Sequence, residues 1–306
     1  MRLAKVLGAL GRTLITAGVL ILLFVAYQLW GTGIREAQAQ NELGDQFEER
    51  LDEAREAAPP SSTTTTPPDT TDTTDPVEPE LAPPIELAAD GEATAQIRIP
   101  KIGVDKTVVE GVSLANLKKG PGRYPESPMP GQKGNAAIAG HRTTYGAPFN
   151  RIDELVPGDE ILVETVQGEF RYVMTEQLIV SPSQVEVLED KGDNRLTLTA
   201  CHPKYSARQR IVVVAELAPG QTALPRSVPD PESAPAPAAL DDIDGEQHSI
   251  VPTILLGLLC AGIWLLAWLI GRRWRKWPSL ALGFPFFMVA LFFFFEEFSR
   301  LLPSSF

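Results

Sequence analysis

The chain has 306 residues, 44% hydrophobic and 22% charged, with a formal net charge of −12, two cysteines and three histidines. Three scattered histidines and two separated cysteines exclude a zinc site, and no glycine-rich phosphate loop is present, so no metal and no cofactor is expected. Residues 35–90 carry fifteen acids and three bases, the same net −12 as the whole chain; the acidity describes that segment and not the remainder.

In chain order, the first element is TLITAGVLILLFVAYQLW (13–30), an uncharged run behind Arg2, Lys5 and Arg12. It is long enough for a membrane helix, which needs roughly 20 residues. Ala37-Gln38-Ala39 resembles a signal-peptide cleavage site, but the run exceeds a signal core and ends on bulky Trp30. Residues 1–33 are therefore expected to be a cytoplasmic N-terminus with an uncleaved anchor. Residues 34–58 read as a juxtamembrane helix, with Leu43, Phe47, Leu51 and Ala54 at helical spacing. So narrow a stripe predicts a solvated stalk, with a self-association seam as the alternative. Residues 59–90 are a Pro/Thr/Asp linker (PPSSTTTTPPDTTDTTDPVEPELAPP at 59–84) that cannot bury enough apolar surface to offset the entropy of ordering.

Residues 91–218 read as the folded domain. Its apolar runs are short and β-branched: AQIRIP (95–100), KTVVEG (106–111), NAAIAGH (135–141), EILVET (160–165), GEFRYVMTEQLIV (168–180), RLTLTAC (195–201) and RIVVVAEL (210–217). Turn signals at 119–122, 128–131 and 156–159 separate them, and the pattern predicts a β-barrel or sandwich. Gly158 in VPGD is expected to take positive φ in a tight turn. A second linker, 219–248, leads to residues 249–306. There IVPTILLGLLCAGIWLLAWLIG (250–271) and PSLALGFPFFMVALFFFF (278–295) predict a transmembrane hairpin, with a re-entrant course for the Pro285 segment as the alternative.

Between these two spans, RRWRKW (272–277) carries four positive charges. Lys and Arg concentrate on the cytoplasmic side, so the loop and the N-terminus both point inward, leaving residues 34–248 outside a multi-pass membrane protein. The loop reads as an orientation signal in contact with lipid headgroups, not as a nucleic-acid site.

On this topology Cys201 is an external thiol, and Cys260, inside a span, cannot easily pair with it. An unpaired external thiol is unusual, because an oxidising setting tends to pair cysteines. A thiolate is a nucleophile and wants a cationic partner. His141 can supply charge and later donate a proton to a leaving amine, and Arg210 can steady a developing oxyanion. These residue types suit acyl transfer through a thioester. The bland alternatives are a small buried cysteine and a structural histidine.

TLTAC at 197–201 with an arginine nine residues on, preceded by NAAIAGHR, resembles the sortase family of cysteine transpeptidases, most closely the class E sortases of high-GC Gram-positive bacteria. IPKIGVDKTVVEGV (99–112), GPGRYP (120–125) and AGHRTTYGAPFNRIDEL (139–155) follow the family's order, so the resemblance covers about 97–217. It implies a mainly β fold, an eight-stranded sortase-type barrel with short helices, carried here with an N-terminal transmembrane helix and a C-terminal transmembrane hairpin. It implies His141, Cys201 and Arg210 as catalytic residues, with Arg208 and His202 as weaker competitors, and Tyr124 as a substrate-binding residue linked to preference for LAxTG over LPxTG signals. Ala200 departs from the family's usual threonine, and Asp75-Pro76-Val77 lacks the aromatic residue of a lid motif.

The implied activity is cleavage of a C-terminal LAxTG/LPxTG-like sorting signal between Thr and Gly, with transfer of the acyl group to an amine of a cell-wall precursor. Implied partners are surface proteins bearing such signals, a peptidoglycan-precursor amine and the lipid bilayer. A pilin-polymerising sortase and a catalytically silent surface scaffold of the same fold are the alternatives.

Overall fold

The computed structural model describes residues 2–57, 87–225, 250–273 and 276–300. The expected linker at 59–84, nearly all of the second one, and residues 274–275 of the basic loop lie outside the described residues. The chain divides into two compact units, residues 35–243 and residues 1–34 with 244–306.

The first unit is built on eight strands: β1 (Ala93–Ile99), β2 (Val104–Glu110), β3 (Gly122–Arg123), β4 (Gly134–Ala139), β5 (Glu160–Thr165), β6 (Gly168–Val180), β7 (Asn194–His202) and β8 (Gln209–Leu217). They close in the order β1-β2-β3-β4-β7-β8-β6-β5. The barrel reading therefore prevails over the sandwich, and closure removes exposed strand edges. Alternate residues face the core: Ala95, Ile97 and Ile99 from β1, Leu196, Leu198 and Ala200 from β7, and Ile211, Val213 and Ala215 from β8, as the period of two dictates. In the VPGD turn Gly158 takes φ +101 and its N–H donates to Met174 O at 2.9 Å.

β4 is buried along its whole length. Ala136 and Ile138 join the main core, while Ala137 and Ala139 join a second cluster with Leu117 and Tyr124. β4 runs parallel to β7, from Gly134 opposite Asn194 to Ala139 opposite Thr199. β7 in turn is antiparallel to β8. The outer faces of these three strands carry the residues that matter below. β3 is the one strand the sequence did not mark: only two residues of GPGRYP pair, in parallel with Val109-Glu110 and antiparallel to Ile138-Ala139.

Helix α1 spans Arg2–Ala26, α2 spans Thr32–Ala57 and the short α3 spans Leu114–Leu117. The expectation of a solvated stalk over 34–57 does not hold. Leu43 and Phe47 are each 3% exposed and pack with Ala93 and Val109 of the barrel, with Leu51 at the margin. Gln40 takes three backbone groups: its Oε1 accepts from Thr107 N–H at 2.8 Å, and its Nε2 donates to Thr107 O at 3.0 Å and Lys119 O at 2.9 Å. Glu36 pairs with Lys106 at 2.7 Å. The narrow apolar stripe suffices because the wall it meets is made of small side chains, and side-chain polar groups satisfy the rest.

The second unit contains α1, α4 (Val251–Arg273) and α5 (Lys276–Arg300). Among the described residues, three helical segments are long and apolar enough to cross a membrane. Large apolar side chains such as Ile15, Leu22, Leu258 and Phe286 face outward, as lipid-facing residues do. Tyr27, Cys260, Leu291 and Phe295 form a buried cluster. Pro285 lies inside α5 without ending it.

Candidate active site

Cys201 is the penultimate residue of β7, and its direct partner on β8 is Arg210. Residues directly opposed in an antiparallel pair project to the same face. Thr199, two positions back, shares that face, whereas Ala200 turns into the core beside its partner Ile211. A hydroxyl at position 200 would therefore face the barrel interior, and Thr199 is the hydroxyl on the side of Cys201. Arg210 Nη1 donates to Ala207 O at 2.8 Å and Gln209 O at 3.3 Å, which tucks its side chain against the β7–β8 turn. Cys201 and Cys260 are both free thiols.

His141 stands just past the end of β4. The last rung of the β4–β7 ladder is Gly140 N–H to Thr199 O at 3.0 Å, so His141 emerges level with Cys201. Its loop closes through Phe149 N–H to His141 O at 3.1 Å. The Tyr145 ring lies 5.2 Å from the imidazole, and Lys118 Nζ sits 5.7 Å from the Tyr145 ring. His141 as a whole is half-buried, but its Nε2 is enclosed without a hydrogen-bond partner. Burial first, and then the Lys118 charge, push its pKa down to about 4. The resting imidazole is neutral near pH 7.

The loop holds Tyr145, Gly146 and Ala147 in consecutive left-handed conformations, with φ of 49, 71 and 42. The positive φ in the middle favours glycine, and a Cβ there would meet the Glu36 carboxylate. The carboxylate of α2 thus rests against the loop that carries His141.

Tyr124 follows β3. Its N–H donates to Ala137 O at 3.0 Å, and its hydroxyl lies 3.3 Å from Thr199 Oγ1. Burial raises its pKa against the opposing influences of Thr199 and the Arg210 charge, and Cys201 adds to the rise. It is therefore in electrostatic reach of both Cys201 and Arg210. Arg123, 1% exposed, fixes the loop: its Nε donates to Glu110 Oε2 at 2.8 Å and its Nη1 to Tyr124 O at 3.0 Å.

The four residues singled out in the sequence, Tyr124, His141, Cys201 and Arg210, thus gather at one end of β4, β7 and β8. The two competitors fall elsewhere. Arg208 is exposed in the turn before β8, where its N–H donates to Ser206 Oγ at 3.4 Å, and His202 faces Arg142, Nδ1 to Nη1 at 3.0 Å. Sequence reasoning missed Arg142 and Arg123, both nearly inaccessible, and Tyr145. The only signal was their adjacency to His141 and Tyr124 in the quoted motifs. Arg142 Nη2 pairs with Asp153 at 2.9 Å. Burial alone would raise the Asp153 carboxyl, but the hydrogen bond and charge of Arg142 outweigh it and hold the group below the usual carboxylate range. Among the described residues, no cluster of His, Cys, Asp and Glu could hold a metal ion.

Residues 97–218 match the family model described as "Sortase domain". The chain is 36% identical over 221 residues to sortase SrtE1 of Streptomyces coelicolor, an alignment covering 67% of this chain and 55% of that protein. It is 29% identical over 238 residues to SrtE2 of the same organism, covering 70% and 83%. A solved sortase E from Streptomyces avermitilis is 37% identical, covering 43% of this chain and 91% of that one, with a TM-score of 0.39. The chain thus spans about half the length of the first of these relatives.

Proposed function

Because the chain belongs to the sortase family through its domain at residues 97–218, and is most like the class E sortases, we propose that it is a membrane-anchored cysteine transpeptidase that cuts an LAxTG/LPxTG-like C-terminal signal between Thr and Gly and passes the acyl group to a cell-wall precursor amine. The observation that carries this reading is the direct pairing of Cys201 with Arg210 across β7 and β8, with His141 one residue beyond the last β4–β7 bond.

The neutral His141 takes the thiol proton as the Cys201 thiolate forms. The sulfur attacks the threonine carbonyl carbon, and the Arg210 guanidinium steadies the oxyanion that develops. As the C–N bond to glycine breaks, His141 returns the proton to the departing amine, leaving a thioester. An acceptor amine then attacks that carbonyl, His141 takes its proton, and Cys201 leaves as thiolate. Tyr124 contributes its hydroxyl, held by Thr199 beside the nucleophile, to the signal's backbone.

Incubating the full-length protein in nanodiscs with LAxTG and LPxTG peptides tests this by intact mass. The reading expects an acyl adduct and a released glycine fragment that both vanish in Cys201→Ala, and an LAxTG preference that shrinks in Tyr124→Phe. An unmodified protein with both peptides would count against the reading.

A further inference from the structure

Parallel strands β4 and β7 exchange evenly spaced hydrogen bonds. Gly140 N–H to Thr199 O, at 3.0 Å, is the last of them. The next rung of the same series would run from residue 142 N–H to Cys201 O. There the chain has already turned into the His141 loop, while β7 continues to His202 paired only with β8. The Arg142 side chain occupies the missing place: Nη1 donates to Cys201 O at 3.3 Å. The same nitrogen lies 3.0 Å from His202 Nδ1. An arginine has only donors, so Nδ1 is the acceptor and the neutral ring carries its proton on Nε2. Nη2 binds Asp153 at 2.9 Å, and the Arg142 carbonyl accepts from Asn150 Nδ2 at 2.8 Å.

We infer that Arg142 is a positioning residue: its guanidinium stands in for the ladder rung lost at Cys201 and so fixes the nucleophile's backbone relative to His141, its own neighbour in sequence. The inference rests on the transpeptidase reading of Cys201 and His141. An ion pair alone is a poor account of this arginine. Its side chain is 2% exposed while its carboxylate partner is 40% exposed, and burying a guanidinium against a half-solvated partner returns little of the desolvation cost. What the geometry does deliver is a link, from one fork, between strand β7 at Cys201 and Asp153 beyond the loop that carries His141. Reactivity depends steeply on such placement, with a displacement of about 1 Å costing on the order of 100-fold.

The test uses the full-length chain in nanodiscs. Turnover of a sorting peptide with an amine acceptor is measured per alkylation-titrated Cys201, which removes misfolded protein from the count. Arg142→Met is expected to lower kcat about 30- to 100-fold with KM nearly unchanged, Asp153→Asn to lower it less, and Arg142→Lys to recover part of the loss. Histidine-selective 15N spectra supply a reading independent of turnover. The chain has only three histidines, and His202 should show an acceptor Nδ1 that is lost in Arg142→Met.

Wild-type kcat per titrated thiol in Arg142→Met, with only a lowered melting temperature, would overturn the inference. If Arg142→Met fails to fold, wild-type kcat in both Asp153→Asn and Arg142→Lys would overturn it equally. Absence of Cys201-dependent turnover in the unaltered chain would remove the transpeptidase reading and this inference with it, a result distinct from failure of the clamp alone.

Discussion

In the unfolded chain a histidine takes up a proton near pH 6.5, whereas His141 in the barrel does so only at about 4. The depressed value means that the folded state prefers the neutral ring. The stabilisation that comes with it is complete above about pH 6.5 and is lost as the pH falls from there towards 4. The full shift would correspond to about 3 kcal/mol, and the partial exposure of the residue reduces that figure. Urea unfolding of the barrel should therefore show a falling midpoint between pH 7 and 4.5, and His141→Gln should flatten that slope. An identical slope in His141→Gln would assign the acid sensitivity to other groups. Asp153 is held below the carboxylate range by Arg142, so its own loss falls at lower pH and does not confuse the window. None of this was legible in the sequence. His141 could be named from its motif, but its burial, the Tyr145 ring and Lys118 meet it only through the fold.

The strands were readable because seven of them carry enough β-branched and alternating residues to declare themselves. β3 was not, because two residues of a glycine- and proline-rich turn become a strand only when β2 and β4 flank them. Helix α2 shows the other kind of miss. Its period was clear from Leu43, Phe47 and Leu51, but the small-residue wall of Ala93 and Val109 that receives it lies far along the chain. Truncating a buried Leu or Phe to Ala costs about 2–5 kcal/mol, and orphaning backbone groups at Thr107 and Lys119 by Gln40→Ala adds roughly 1–3 kcal/mol. In a fragment of residues 35–225, Leu43→Ala and Gln40→Ala should each lower the urea midpoint of the barrel, and a fragment starting at residue 85 should be lower still. Equal midpoints would mean that α2 leaves the barrel in solution. Glu36 of the same helix abuts Gly146 in the His141 loop, so the helix also bears on the site and not on stability alone.

At the scale of the whole chain, three apolar helical segments among the described residues and two basic clusters favour the proposed arrangement, with the N-terminus and RRWRKW inside and the barrel outside. Arg2, Lys5 and Arg12 precede the first span, and Arg272 and Arg273 close α4 at the start of RRWRKW. Reversing the orientation would place every one of these charges on the side that disfavours them. Anchoring in the same membrane as tethered substrates would raise their effective concentration at Cys201 without any new contact. The chain offers its own probe of this topology, because its two cysteines fall one in each unit. Cys201 is partly accessible, while Cys260 is buried within α4. A membrane-impermeant maleimide applied to intact cells should add one label per chain, and Cys201→Ser should abolish it while Cys260→Ser leaves it unchanged. Labelling of Cys201 only after permeabilisation would invert the topology, place the barrel in the cytoplasm, and separate it from any external sorting signal or wall-precursor amine.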